Sequence, residues 1–478
     1  MYISDSWRSA LRNSGTVLAS NAASQLLVFA ATALIARRLG PEDFGWYSFV
    51  LVYVGFVAIL PELGMDSILI RNMARDDQQS AEILSNAITL RLLSVVVSII
   101  TGVLVFQFLG TPSSLTMVMA VAMPYVASFS LGAFAETRFR ARMAMMIPAA
   151  GKVASKILLF LFVVLGLRLV SGELVLLAAV ALTVLPDILS TSFVFLSSAR
   201  QVKLGLVISW RAWVSILSES WPLALMAILV MVYLRIDVLM LSLMSTPEAV
   251  GNYAAAFKLV EVWGGIAMAL GVSLLPMLSR SAAGQSNLDF WKTYQQSFGG
   301  LMLLLVPVSF FISLYSRDIV TLIYGAQYQQ SALALRLLIW GQVFASAGVL
   351  YTTALTASGR QRLNLVLSLA SALVNVLINL ILIPAFGISG AAIATLLAYG
   401  TGTILLLLLR ETRHYITPLF KAAVVPILAS LMFVLVALGI RGNLVNGLLV
   451  SGAVYLIFTI ALTKLFGARL SSFGSTPS

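Results

Sequence analysis

Lys152 and Lys156 stand four residues apart in an otherwise apolar run, so on a helix they share one face a turn apart. Arg91 interrupts another such run, Arg235 and Asp237 close a third, and Lys258 and Glu261 sit three residues apart in a fourth. An ionised group inside hydrocarbon is costly, so each must face protein, a counter-charge or a water-filled cavity. The chemistry on offer is therefore recognition of charge, and buried cations suit an anionic cargo. A plainer reading stands beside it: Lys and Arg near helix ends reach back to the headgroups, and Lys258 can pair with Glu261. Asp187 follows Pro186 near the middle of a further run, where the proline frees a backbone carbonyl. With Asp237 and Glu261 it is a candidate for proton or sodium coupling, or else a hydrogen-bonded structural acid. Asn21 and Gln25 share one helix face, as do Asn375 and Asn379. Such groups bind ligand hydroxyls or join membrane helices by hydrogen bonds.

The elements that position these residues follow from composition. Of 478 residues, 60% are hydrophobic and only 10% charged, against about a quarter charged in a soluble domain. Fourteen runs are long and apolar enough to cross a bilayer, at 15–36, 44–63, 87–109, 115–135, 149–167, 174–196, 216–234, 252–278, 298–315, 332–356, 363–386, 388–409, 422–440 and 445–466. The chain reads as an all-α polytopic membrane protein. Its first run reads as a retained helix, because it continues too long and lacks the small-residue cleavage pattern of a removed signal peptide. No stretch between runs is long enough for a soluble domain, so function resides in the bundle.

With both termini in the cytoplasm, most of the 30 Lys and Arg fall on the cytoplasmic side. Only Arg37, Arg38, Arg168, Arg235, Arg317, Arg336 and Arg441 lie toward the other, as the positive-inside rule expects. The net charge of +12 is thereby read as basic loops and not as a nucleic-acid surface. Trp46, Tyr47, Trp210, Trp213 and Trp221, near run ends, read as interfacial anchors.

Pro41, Glu42, Gly45 and Tyr47, between the first two runs, recur at identical spacing as Pro247, Glu248, Gly251 and Tyr253, between the seventh and eighth. Six runs separate the copies, so they share an orientation, as two parallel six-helix lobes require. The spacing predicts an N-terminal lobe over 1–200, a second over 201–410 and two further helices over 411–478. Lobes facing a central cavity are the architecture of alternating access.

The segments Leu39-Gly40-Pro41-Glu42-Asp43-Phe44-Gly45, Arg235-Ile236-Asp237-Val238-Leu239-Met240-Leu241, Ile323-Tyr324-Gly325-Ala326-Gln327-Tyr328 and Gly387-Ile388-Ser389-Gly390-Ala391-Ala392-Ile393-Ala394-Thr395, in this order, resemble the polysaccharide-biosynthesis flippases called Wzx. The resemblance runs from about Gly15 to Arg410. That family belongs to the multidrug, oligosaccharidyl-lipid and polysaccharide exporter superfamily. The resemblance implies a cargo of oligosaccharide on undecaprenyl diphosphate, moved from the cytoplasmic to the periplasmic leaflet of a bacterial inner membrane for O-antigen, capsule or exopolysaccharide. It implies membrane lipids, a polymerase and other polysaccharide-export proteins as partners. On this reading Arg91, Lys152, Lys156, Arg235 and Lys258 meet the diphosphate, and Asn21, Gln25, Asn375 and Asn379 the sugars.

There is no G-x-x-x-x-G-K-[ST] phosphate loop, no cysteine and no metal-ligand spacing, so no cofactor is expected. His414 reads as solvated. Asp76-Asp77, the one local acidic pair that a membrane polymerase or glycosyltransferase could use, reads as a solvated loop. A cation-coupled drug or metabolite antiporter of the same superfamily is the nearest alternative.

Overall fold

The computed structural model describes residues 5–75, 80–142, 144–199, 205–283, 287–440, 450 and 452–459, and Asp76-Asp77 lies outside them. Every described element is helical, as long apolar runs must be when lipid offers the backbone no hydrogen bonds. The helices are α1 (Asp5–Ile59), α2 (Met65–Arg75), α3 (Ser80–Phe108), α4 (Ser114–Ala122), α5 (Pro124–Ala141), α6 (Met146–Leu169), α7 (Leu174–Ala199) and α8 (Trp210–Met244). They continue as α9 (Pro247–Ala283), α10 (Asn287–Leu314), α11 (Ser316–Tyr324), α12 (Ser331–Ala357), α13 (Gln361–Leu408) and α14 (Arg413–Ile440).

Eleven helical stretches are long and apolar enough to span a membrane. Two of them, α1 and α13, each hold two of the runs expected from sequence, so thirteen of the fourteen are accounted for. The joints are Gly40 (φ 76°) and Gly387 (φ 53°), backbone values that cost a side chain dearly and glycine little. The fourteenth run, 445–466, falls mostly outside the described residues. Residues 452–459 are helical, and Tyr455 donates to the Leu303 carbonyl at 2.8 Å.

On α3 the exposed residues Leu93, Val96, Val97, Ile100 and Leu104 repeat at helical spacing. An apolar outer stripe inverts the soluble pattern and is the face a helix turns to lipid. The sequence reading passed over α2, which is too short to span. It buries Met65, Leu69 and Met73, four residues apart, against Leu84, Ile88 and Trp213.

The chain divides into two compact units, Met1–Ala254 and Ala255–Ser478. In the first, α1 packs on α6 and α8, α6 on α7, and α5 on α7 and α2. In the second, Leu274, Phe298, Met302, Leu350, Tyr351 and Leu406 form the centre of a core built by α9, α10, α12 and α13, to which α14 adds Tyr415 and Ile416.

Candidate functional site

The two copies of the repeated motif meet inside the first unit. Pro41 follows the Gly40 joint and Pro247 opens α9, each starting a helix where its missing N–H costs nothing. Gly45 and Gly251 lie one turn on, and there the two backbones touch. A Cβ at Gly45 would collide with the Pro247 carbonyl oxygen and sit 3.0 Å from the Gly251 nitrogen. A Cβ at Gly251 would collide in the same way with the Pro41 carbonyl and sit 2.9 Å from the Gly45 nitrogen. The contact is reciprocal, as self-complementary packing of two equivalent segments must be, and small residues are what lets helix backbones approach so closely.

The motif tyrosines anchor the two copies. Tyr47 Oη lies 3.0 Å from Thr183 Oγ1 on α7. Because that threonine already donates to the Ala179 carbonyl, the tyrosine is the donor. Tyr253 is fully buried and donates to the carboxylate of Asp237, itself 2% exposed. Asp237 also accepts from the Val238 amide at 2.9 Å. The sequence named Asp237 and Tyr253 separately and had no means of joining them.

Four residues along α7 from Thr183, Asp187 accepts from Lys156 Nζ and from Ser155 Oγ, both at 2.5 Å. Two residues singled out for different tasks, one as a cation for the cargo and one as a coupling acid, thus form an ion pair between α6 and α7. Neither is sealed off, their side chains being 18% and 25% exposed. Lys152, one turn earlier on α6, is exposed. Tyr47 and Tyr125 lie within electrostatic reach of Asp187. The arrangement is an ammonium held by a carboxylate in a partly exposed pair.

Arg91 sits elsewhere and is fully buried. Its guanidinium donates to the Ser130 carbonyl at 3.0 Å and to the Asp66 carboxylate at 2.7 Å, and it lies 5.7 Å from the Phe134 ring centroid. It therefore fixes the first turn of α2 against α3 and α5 and is spent on protein acceptors in this structure. Asp66 carries no sequence signal, since it is one acidic residue just past a glycine turn. Removing one partner of a buried pair costs about 3–5 kcal/mol, so Arg91→Ala is expected to lower the thermal midpoint of the purified protein and its abundance in the membrane. Arg91→Lys is expected to recover part of both.

Lys258 pairs with Glu261 at 2.8 Å on α9, and Arg235 is half-buried on α8. Gln25 is exposed on α1, while the Asn21 side chain falls outside the described residues. Asn375 and Asn379 are fully buried, the second donating to the first at 2.7 Å. That bond leaves the Asn375 amide nitrogen and the Asn379 carbonyl oxygen without a partner among the described residues.

The model of the family described as "Polysaccharide biosynthesis protein" matches residues 10–282, and the MatE model matches residues 222–381. The chain is 23% identical over 387 residues to the "Probable low-salt glycan biosynthesis flippase Agl15" of Haloferax volcanii, with 79% of each chain covered. It is 21% identical to the "Capsular polysaccharide biosynthesis protein CapF" of Staphylococcus aureus, covering 80% of this chain and 94% of that one. Among solved structures, the "Lipid II flippase MurJ, inward closed conformation" superposes with a TM-score of 0.79 at 14% identity, over 95% of this chain and 99% of the other. The likeness establishes a transporter fold shared with that protein. With the family model covering more than half of its length, the chain belongs to the polysaccharide biosynthesis protein family.

Proposed function

We propose that the protein is a flippase that carries an oligosaccharide on a polyprenyl diphosphate across the membrane, from the cytoplasmic to the outer leaflet, by alternating access. The observation that carries this reading is membership of the polysaccharide biosynthesis family in a chain whose named relative Agl15 is a probable glycan biosynthesis flippase. The bundle chemistry supports it, because a diphosphate needs cations that can be reached from water inside the membrane. Lys152 and Lys156 supply them in the first unit. The diphosphate competes with the Asp187 carboxylate for the Lys156 ammonium and so draws Lys156 to the cargo. Further readings belong to the same proposal: an inner-membrane location with cytoplasmic termini, lobes over 1–200 and 201–410 with an extension over 411–478, and a polymerase acting on the delivered repeat units.

Deleting the gene is expected to strand lipid-linked repeat units in the cytoplasmic leaflet while their synthesis continues. Normal arrival of repeat units on the far side, in a strain with no second flippase, would overturn the proposal. At residue level, Lys152→Gln in the otherwise wild-type protein is expected to cut export about tenfold without lowering abundance, as loss of a charge-assisted contact worth about 1.4 kcal/mol does. A cation-coupled antiporter is the second reading, favoured by the MatE match over residues 222–381. It requires export of a drug or metabolite in exchange for a cation moving the other way, which a substrate-accumulation assay with the purified protein in vesicles separates from lipid flipping.

A further inference from the structure

The second unit contains a cavity of about 620 Å³ that the cargo chemistry above does not use. Four helix ends build it: Ser281 and Ala282 at the end of α9, Phe290 and Trp291 at the start of α10, Ser358 and Arg360 between α12 and α13, and His414 and Tyr415 at the start of α14. A volume of this size is that of a small-molecule site. Its floor is aromatic. Phe290 and Tyr415 are buried, and the Trp291 ring meets His414 at 5.0 Å and Tyr415 at 5.3 Å between centroids. His414, which the sequence left in solvent, is thus exposed on one side and stacked on the other.

The rim keeps its hydrogen-bonding capacity open. Ser281 Oγ donates to the Met277 carbonyl and Ser358 Oγ to the Ala354 carbonyl, so each hydroxyl oxygen is left as an acceptor. Arg360 is exposed, and its guanidinium makes no hydrogen bond among the described residues. A guanidinium beside two acceptors and an aromatic wall matches an anionic phosphate carried next to free hydroxyls: the guanidinium takes phosphate oxygens, and the serines accept from hydroxyls. The adjoining helix ends add Arg280, Lys292, Arg362 and Arg413 against Asp289 and Glu411, so the local field also favours an anion.

We propose that this pocket binds a hydroxyl-bearing phosphate headgroup at the membrane surface, separately from the cargo site. Two sources share that chemistry, an anionic phospholipid such as phosphatidylglycerol and a soluble polyol phosphate. The test uses the full-length purified protein in mixed micelles of phosphatidylglycerol and phosphatidylcholine, with bound lipid counted by native mass spectrometry. Wild type is expected to retain phosphatidylglycerol preferentially. Arg360→Gln, a change at an exposed side chain, is expected to reduce that preference about fivefold, the effect of one interfacial basic residue on an anionic lipid. Ser281→Ala/Ser358→Ala is expected to reduce it by a smaller factor. Both variants should melt with wild type.

Displacement of the lipid by millimolar glycerol 3-phosphate supports the pocket and assigns it to a soluble phosphate. Failure to displace supports it and assigns it to lipid. The proposal is overturned if wild type shows no preference, or if Arg360→Gln keeps the wild-type preference. Binding is read without transport, so this result is independent of whether the protein flips a glycolipid.

Discussion

Alanine at Gly45 or at Gly251 is expected to stop export, and alanine at both to cost little more than alanine at one. Either methyl group meets a backbone carbonyl of the opposing helix, Pro247 for the first and Pro41 for the second. A backbone oxygen has no rotamer in which to retreat, so the helices must separate by more than an ångström. Overpacking a tight contact costs about 1–3 kcal/mol when side chains can adjust, and this site sits at the upper end of that range because they cannot. Once the first substitution has parted the helices, the second methyl group enters space already opened. The two changes share one structural consequence, so their coupling in a double-mutant cycle should be about 1–3 kcal/mol.

Thermal unfolding of the four proteins in detergent measures that coupling, and complementation of a deletion strain measures export. Additive losses would mean that each glycine serves its own helix and that the reciprocal contact is incidental. The result bears on how the first unit holds together, because the contact joins the motif segment of α1 to the start of α9 within it.

The sequence made this contact half visible. Identical spacing of Pro, Glu, Gly and Tyr in two places pointed to equivalent segments, and helix direction followed from counting runs. That the copies touch one another is a fact of tertiary packing, which no local pattern encodes. Span positions were legible for a related reason: twenty apolar residues in lipid have few alternatives to a helix. The turns at Gly40 and Gly387 were less so, because the residues around them remain apolar and the break is a single φ value. Short α2 was missed since its burial pattern is carried by only three residues at i, i+4 and i+8.

At the candidate site the sequence named the charges and misassigned their relations. Arg91, Lys156, Asp187 and Asp237 were all singled out as charges in apolar runs, which is the signal a buried ion leaves. Their partners lie 25 residues away in the case of Asp66 with Arg91 and 31 in the case of Lys156 with Asp187. Separations of that kind are set by which helices pack together. A cation whose partner lies on another helix therefore reads as lone in the sequence. Lys258 and Glu261, on one helix three residues apart, were the pair that local spacing could identify.

Lys156→Leu is expected to remove most of the protein from the membrane, and Lys156→Leu/Asp187→Leu to restore it without restoring export. With the lysine gone, Asp187 keeps only Ser155 as a partner among the groups that hold it here, and a carboxylate left so in a helix bundle is destabilising, by less than the ~3–5 kcal/mol of a fully buried pair because a quarter of it is exposed. Replacing both members by apolar groups removes the desolvation penalty along with the attraction, an exchange that is commonly neutral or stabilising where the volume is accommodated, as it is at a partly exposed pair. Abundance and thermal midpoint of the double variant should therefore return to near the wild-type values. Export then separates two roles that stability alone does not. A pair serving only to hold α6 against α7 would be replaceable by leucines, and export would return with abundance. A pair that exchanges its internal carboxylate for a cargo phosphate has lost the ammonium that does so, and export stays at background however well the protein folds.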